Sequence, residues 1–239
     1  MHPRSALPAL ALALATACDS TTTGPNRVRP DAVAPSFQSE GVPSETDCVG
    51  FLSGTFQNVV VPPGATCFLV RSTVTGNVKA LEGARLTTSA NEIAGNIEIE
   101  KAGFANLVFD VVGGNVIMVD GIAVDEAPPS DYRVNRLTLT QGNLYVIKNR
   151  GDVSIRFNRL LKGNMKIEDN VVVTFLAVTN NEVAQNLQVF KNTGPGSKTV
   201  RANVAGESIQ CWENAPPFFA ELNSAPKLEG QCAVPPPAE

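Results

Sequence analysis

The sequence predicts an all-β chain wound as a single-stranded, right-handed parallel β-helix (a solenoid) with rungs of about 19–22 residues and disulfide-linked caps, and three observations carry that prediction. The first is a recurring phrase: Gly76-Asn77-Val78, Gly95-Asn96-Ile97, Gly114-Asn115-Val116, Gly142-Asn143-Leu144 and Gly163-Asn164-Met165, degenerating to Gln185-Asn186-Leu187 and Glu207-Ser208-Ile209. Its second residue recurs after 19, 19, 28, 21, 22 and 22 residues. A period of roughly 20 residues marks units that bury their cores against one another in a stack. The second observation is an in-and-out alternation inside the best rungs, from one Asn to a second six positions on, as in Asn143-Leu144-Tyr145-Val146-Ile147-Lys148-Asn149, which is a strand signal. The third is that apolar residues at three- and four-residue spacing, which a helical solenoid requires, are missing from these rungs. Parallel crossovers are generally right-handed, which sets the expected hand.

The chain starts with segments outside that solenoid. Residues 1–17 read as an export signal, with Arg4, an apolar run from Ala6 to Ala17, and Ala15-Thr16-Ala17 directly before Cys18. The run is too short for the roughly 20 residues that span a bilayer. An A-x-A signal-peptidase site and a lipobox both fit these residues; in the second case Cys18 becomes a lipidated first residue, and the segment resembles a bacterial lipoprotein. Residues 18–47 are rich in Ser, Thr, Pro and Gly and poor in large apolar side chains. Such a stretch cannot offset its ordering entropy by burial, so it is expected to be a disordered tether. A tether favours the lipoprotein reading: an exported cell-envelope protein held to the membrane through a multiply acylated anchor. Ordinary secretion with a disordered N-terminus is the alternative.

The folded body is expected over 48–232, with a disordered tail at 233–239. Val49 to Thr75, including Val59-Val60-Val61-Pro62-Pro63-Gly64, supplies the N-terminal cap and first strands. Inward columns are Leu144 and Val146, Met165 and Ile167, Leu187 and Val189, and Ile209 and Cys211. Asn149, Asn170, Asn192 and Asn214 close one strand, and Asn158, Asn181 and Asn203 close a second half a rung later. Asn tolerates the left-handed conformation and bonds its neighbours, which suits tight corners. Corners stacked about 4.8 Å apart also allow amide ladders. The spacing of 28 accommodates an insert, Asp125 to Tyr132, of the kind that often bulges beside a binding face. Asn214 to Cys232, with Pro216-Pro217-Phe218-Phe219, should fold over the last rung.

Removing the signal leaves Cys48, Cys67, Cys211 and Cys232 beside Cys18. Four cysteines in an exported chain suggest two disulfides. Three pairings are possible; Cys48 with Cys67 and Cys211 with Cys232 is the economical one, each closing a loop worth about 3 kcal/mol. A four-thiolate zinc site is the competing reading, against which stand the lack of a C-x-x-C spacing and the oxidising compartment. The only histidine, His2, lies in the signal, so a mature chain has no Ser-His-Asp, Cys-His or His-metal chemistry. The formal charge of -4, made more negative by loss of Arg4, argues against nucleic acid as a partner. No phosphate-binding loop, dinucleotide fingerprint or calcium repeat is present, so no cofactor is expected.

A resemblance extends over roughly 48–232. Asn58-Val59-Val60-Val61-Pro62-Pro63-Gly64-Ala65-Thr66-Cys67, Thr75-Gly76-Asn77-Val78, Asn186-Leu187-Gln188-Val189-Phe190-Lys191-Asn192 and Gly230-Gln231-Cys232 resemble secreted bacterial β-helix proteins built on Gly-Asn-Leu repeats. That resemblance implies a fold near the pectin-lyase-like β-helices, with no established activity. The chain departs from the enzymes of that neighbourhood, having no Gly-His-Gly and no Asp-Asp pair. Fold analogy alone is no route to an enzyme.

Function is therefore sought in outward residues that break the rhythm. Reading the Gly-Asn strand down the stack places Ile117, Val119, Tyr145 and Ile147 together, and Phe190 with Trp212 nearer the C-terminus. Contiguous outward apolar residues usually mark a contact, so these six form a candidate face for a cell-envelope glycan or protein. Cover by the insert and by Phe218-Phe219 is the structural alternative. The expected role is a non-enzymatic surface, structural or binding module. The runner-up, a carbohydrate-active enzyme or carbohydrate-binding protein of the pectin-lyase-like kind, rests on Glu98 and Glu100, whose side chains on one strand face lie about 7 Å apart, within the range glycosidases use.

Overall fold

The structure, a computed structural model, describes residues 44–122 and 131–233. The expected signal, Cys18, most of the tether, residues 123–130 and the tail beyond Ala233 lie outside the described residues. The described chain is all β-strand, coiled as a parallel β-solenoid of about eight turns. Three sheets form its flanks. The Gly-Asn face has ten strands, beginning Thr46–Asp47, Val59–Val61, Val78–Ala80 and ending Ser208–Trp212, Lys227–Gly230. A long-strand face has nine, from Gly50–Leu52 to Phe218–Glu221, and a short-strand face has eight strands of two residues each, from Thr55–Phe56 to Val204–Ala205.

Alternation places the core as expected. Val78, Ile97, Val116, Leu144, Met165, Leu187 and Ile209 stack in register, one per turn, and all are fully buried. The Gly of the repeat is demanded by proximity and not by backbone conformation, since none of these glycines has a positive φ. A Cβ on Gly142 would lie 2.0 Å from the Gly114 carbonyl oxygen, and one on Gly163 1.9 Å from that of Gly142. The following Asn ties the turns together: the N–H of Asn96 donates to Asn77 Oδ1 at 2.8 Å, that of Asn115 to Asn96 Oδ1 at 2.8 Å, and that of Asn143 to Asn115 Oδ1 at 2.9 Å.

The corner asparagines do form ladders, but their conformational role differs from the expectation. The left-handed residue is the one before each: Lys148, Phe157, Asp169, Asn180, Lys191, Ala202 and Glu213, with φ between 52° and 57°. Asn149, Asn158, Asn170, Asn181, Asn192, Asn203 and Asn214 are instead turned inward and buried. In Asn170, Asn181, Asn192, Asn203 and Asn214 Oδ1 accepts the N–H and side-chain amide of the Asn one turn before, and in Asn149 and Asn158 it accepts the N–H of Gly121 and Leu137. Nδ2 donates both to the ladder oxygen of the next turn and to a carbonyl of the turn before. Asn149 N and Nδ2, for example, donate to Asn170 Oδ1 at 3.0 and 3.1 Å, and Asn170 Nδ2 donates to Val146 O at 2.9 Å. A buried amide that satisfies backbone groups across turns offsets the unfavourable left-handed residue beside it. Sequence spacing missed four members: Asn91 and Asp110 at one corner, and Asn223 and Gln231, which accept from Asn203 and Asn214 at the C-terminal ends.

Both disulfides form as expected, Cys48–Cys67 and Cys211–Cys232, with Cα separations of 5.4 and 5.2 Å. They link the first and last turns of the coil. The body begins slightly before residue 48, because Thr46–Asp47 pair with Val59 and Val60, and the Cys48 N–H donates to Val60 O at 2.7 Å. At the other end, Phe218–Glu221 and Lys227–Gly230 pair in parallel with Ser197–Arg201 and Ser208–Trp212. Asn214 to Cys232 thus continues the winding where a lid over the last rung was expected. The insert is also shorter than Asp125 to Tyr132. Asp131–Asn135 is a strand of the long-strand face, and Tyr132 is buried in the core, its hydroxyl donating to Ala102 O at 2.9 Å.

Candidate functional site

On the Gly-Asn face the expected strip is assembled in register. Ile117 lies beside Tyr145 and Val119 beside Ile147, making a quartet of half-buried side chains. Lys166 and Glu168, ion-paired at 2.6 Å, border the quartet on the next strand and separate it from Phe190 and Trp212. Phe218 and Phe219 do not cover that second pair, since their strand belongs to the long-strand face. The backbone of Gly230 packs against the Trp212 ring instead, leaving Trp212 47% exposed. Glu98 stands between Lys79 and Ile117, and Glu100 is exposed beside Val119. Neither glutamate has an ion-pair partner among the described residues.

A second surface, on the long-strand face, was not anticipated. One outward column reads Phe51, Phe68, Thr87, Asn106, Arg133, Ser154, Ala177, Thr199, Phe219. Its small residues Ser154 and Ala177 are only 5% and 6% exposed, because larger neighbours rise around them. The result is a depression of about 410 Å³ walled by Arg133, Arg156, Phe157 and Phe175, and a second of about 530 Å³ that shares Arg156 and Phe175 and extends to Arg201.

Two local devices shape it. The strand Val171–Thr179 carries a bulge where the register with Arg150–Arg156 slips. The buried Asp152 holds that bulge, its Oδ1 accepting the N–H of Thr174 at 2.7 Å and of Phe175 at 3.2 Å. Bulges re-aim side chains, and this one brings Phe175 to both depressions. At the adjoining corner the left-handed residues Phe109, Arg136 and Phe157 stack one per turn. The Arg136 guanidinium lies 5.0 Å from the Phe109 ring centre and 5.9 Å from that of Phe157. Both rings stay about half exposed, at 51% and 54%.

Charge is segregated on this face. Among the described residues its outward charged side chains are arginines apart from Asp131 and Glu221, which are ion-paired with Arg133 and Arg201; Asp152 is buried under the bulge. Arg136 and Arg156 have no carboxylate partner among the described residues.

Three titratable groups are perturbed, all of them apart from this depression. Burial pushes the Asp110 carboxyl above its ordinary value, opposed by donors from Thr88 and Asn91. Burial lowers Lys198, whose Nζ donates to the carbonyls of Gly194 and Gly196 at 2.9 and 2.8 Å. The hydrogen bond from Lys227 holds Glu229 below the usual carboxylate range. Among the described residues no cluster of three or more acidic, Cys or His side chains can hold a metal ion. Comparison with protein-family models, curated proteins and solved structures finds no significant match to this chain. Fold and surface define a three-faced parallel β-solenoid with two disulfide-closed ends, and the disulfides place its body in an oxidising compartment.

Proposed function

We propose that this chain is an exported bacterial cell-envelope module of the Gly-Asn-Leu-repeat kind, anchored through Cys18, and that it binds a partner without turning it over. The observation that carries the reading is the outward quartet Ile117, Tyr145, Val119 and Ile147, contiguous across two strands and bordered by Glu98, Glu100, Lys166 and Glu168. A solenoid flank has no packing need for such residues, and apolar side chains grouped in this way favour contact with another surface. Phe190 and Trp212 extend the same flank with two aromatic rings suited to a sugar face or a protein. The ladders consume the buried amides as scaffold, leaving the outward residues as the functional ones.

The test is retention of the protein on isolated cell-wall glycan and on solubilised envelope protein. Retention is expected for the natural chain and is expected to fall at least tenfold in Tyr145→Ala and Trp212→Ala with melting temperatures unchanged. Retention of both variants at the natural level refutes the role of the strip. Turnover of uronate polymers that disappears in Glu98→Gln and Glu100→Gln refutes the non-enzymatic reading. Mass spectrometry of the mature N-terminus checks the anchor, with a diacylglycerol-modified Cys18 expected.

A further inference from the structure

We infer that the long-strand face is a second binding site, separate from the Gly-Asn strip, and that it takes a linear acidic polysaccharide carrying a carboxylate on alternate sugars. Its floor is the low pair Ser154 and Ala177, its wall Phe175 is set by the Asp152-held bulge, and Arg156 stands in both depressions. Charge decides the class of ligand. Among the described residues Arg136 and Arg156 face outward without carboxylate partners, on a chain of net negative charge, and a guanidinium fork matches a carboxylate in geometry as well as sign.

The rings decide what the charges are attached to. Phe109, Phe157 and Phe175 present half-exposed apolar faces next to the arginines. A flat sugar ring offers C–H groups to such a face and a carboxylate at its rim; an acidic peptide offers the charge without the ring.

Register decides the repeat. Arg156, Thr179 and Arg201 occupy one column on successive turns, flanked by Asn135 and Glu221, so these two cations stand two turns apart, about 10 Å at the ordinary strand spacing. An extended polysaccharide advances per sugar by roughly one strand spacing, about 4.8 Å, which is half the distance between the two arginines. Charge on alternate sugars therefore meets Arg156 and, in competition with its Glu221 partner, Arg201, with the neutral sugar over Thr179.

Binding of the full-length protein to immobilised hyaluronan, which has a carboxylate on alternate sugars, tests the assignment. Polygalacturonate, charged on every sugar, neutral dextran and poly-glutamate are the comparators. Hyaluronan is expected to bind most tightly, and more weakly as salt rises. Arg156→Gln, Arg136→Gln and Phe175→Ala are each expected to weaken it about tenfold, while Arg159→Gln on the short-strand face leaves it unchanged. Urea melts of each variant establish folding, and Arg156→Lys, which keeps the charge, should recover part of the loss. Equal or tighter binding of poly-glutamate or polygalacturonate overturns the inference, as does natural affinity in a folded Arg156→Gln. Tyr145→Ala and Trp212→Ala are expected to bind hyaluronan normally, so failure of the Gly-Asn strip and failure of this site are read separately.

Discussion

The Gly-Asn face and the long-strand face belong to the same turns of the same coil, yet one tolerates almost nothing and the other carries a bulge, a trough and a sandwiched arginine. On the first, each Gly sits against the carbonyl of the turn before it and each Asn Oδ1 accepts the N–H of the Asn on the turn after it, so register is set residue by residue. On the second, register is set by strand pairing and a buried corner ladder, and the strand between can lengthen. The difference teaches that the most insistent repeat in a solenoid marks its least free surface. Depressions are found where the repeat relaxes.

The comparison breaks most easily at the glycines. Gly142→Ala is expected to cost about 3 kcal/mol or more, because its Cβ meets backbone that cannot retreat without moving a whole turn. Ser154→Ala on the long-strand face should shift a urea midpoint by far less. Equal losses would show that proximity at the Gly-Asn corner is not what holds the turns in register.

The ladders sharpen it next. Asn170→Ala removes a buried amide and leaves the Asn149 N–H without its acceptor, for an expected loss of about 2 kcal/mol. Asn164→Ala, in the half-buried ladder of the Gly-Asn corner, leaves groups that water can reach and should cost under about 1 kcal/mol.

The smallest effect concerns pH. Asp110 occupies a ladder position where other turns have Asn, and burial raises its folded pKa above 3.8. The native state then keeps a proton that the unfolded chain has lost. Its contribution is full below the unfolded value and is lost as pH rises through the folded one. Asp110→Asn, with the Thr88 hydroxyl turned from donor to acceptor, should remove that decline. Relative to the natural chain it should gain stability as pH rises above about 4; midpoints that stay parallel as pH rises from there would contradict the assignment.

Much of this was legible in the residues. Alternation in Met165 to Glu168 gave the core columns, because a strand's period of two is local. The disulfide partners followed from their closeness at each end. The bulge also left a trace: the two corner ladders are 9 residues apart from Asn149 to Asn158, 11 from Asn170 to Asn181 and from Asn192 to Asn203, and 9 again from Asn214 to Asn223. That trace says where the chain is longer and not which way the surplus points. The left-handed corner residues were missed because Lys148, Phe157 and Glu213 have no propensity for that conformation; the ladder beside them imposes it.

By itself the sequence determined the coil, its period, its core and its closures, since each depends on residues repeated at fixed spacing and on contacts between like positions. Only the tertiary structure decided the trough on the long-strand face. Arg133, Arg136, Arg156, Phe157 and Phe175 come from three different turns and share no motif. They become one surface because stacking converts a separation of some 20 residues into one strand spacing of about 4.8 Å.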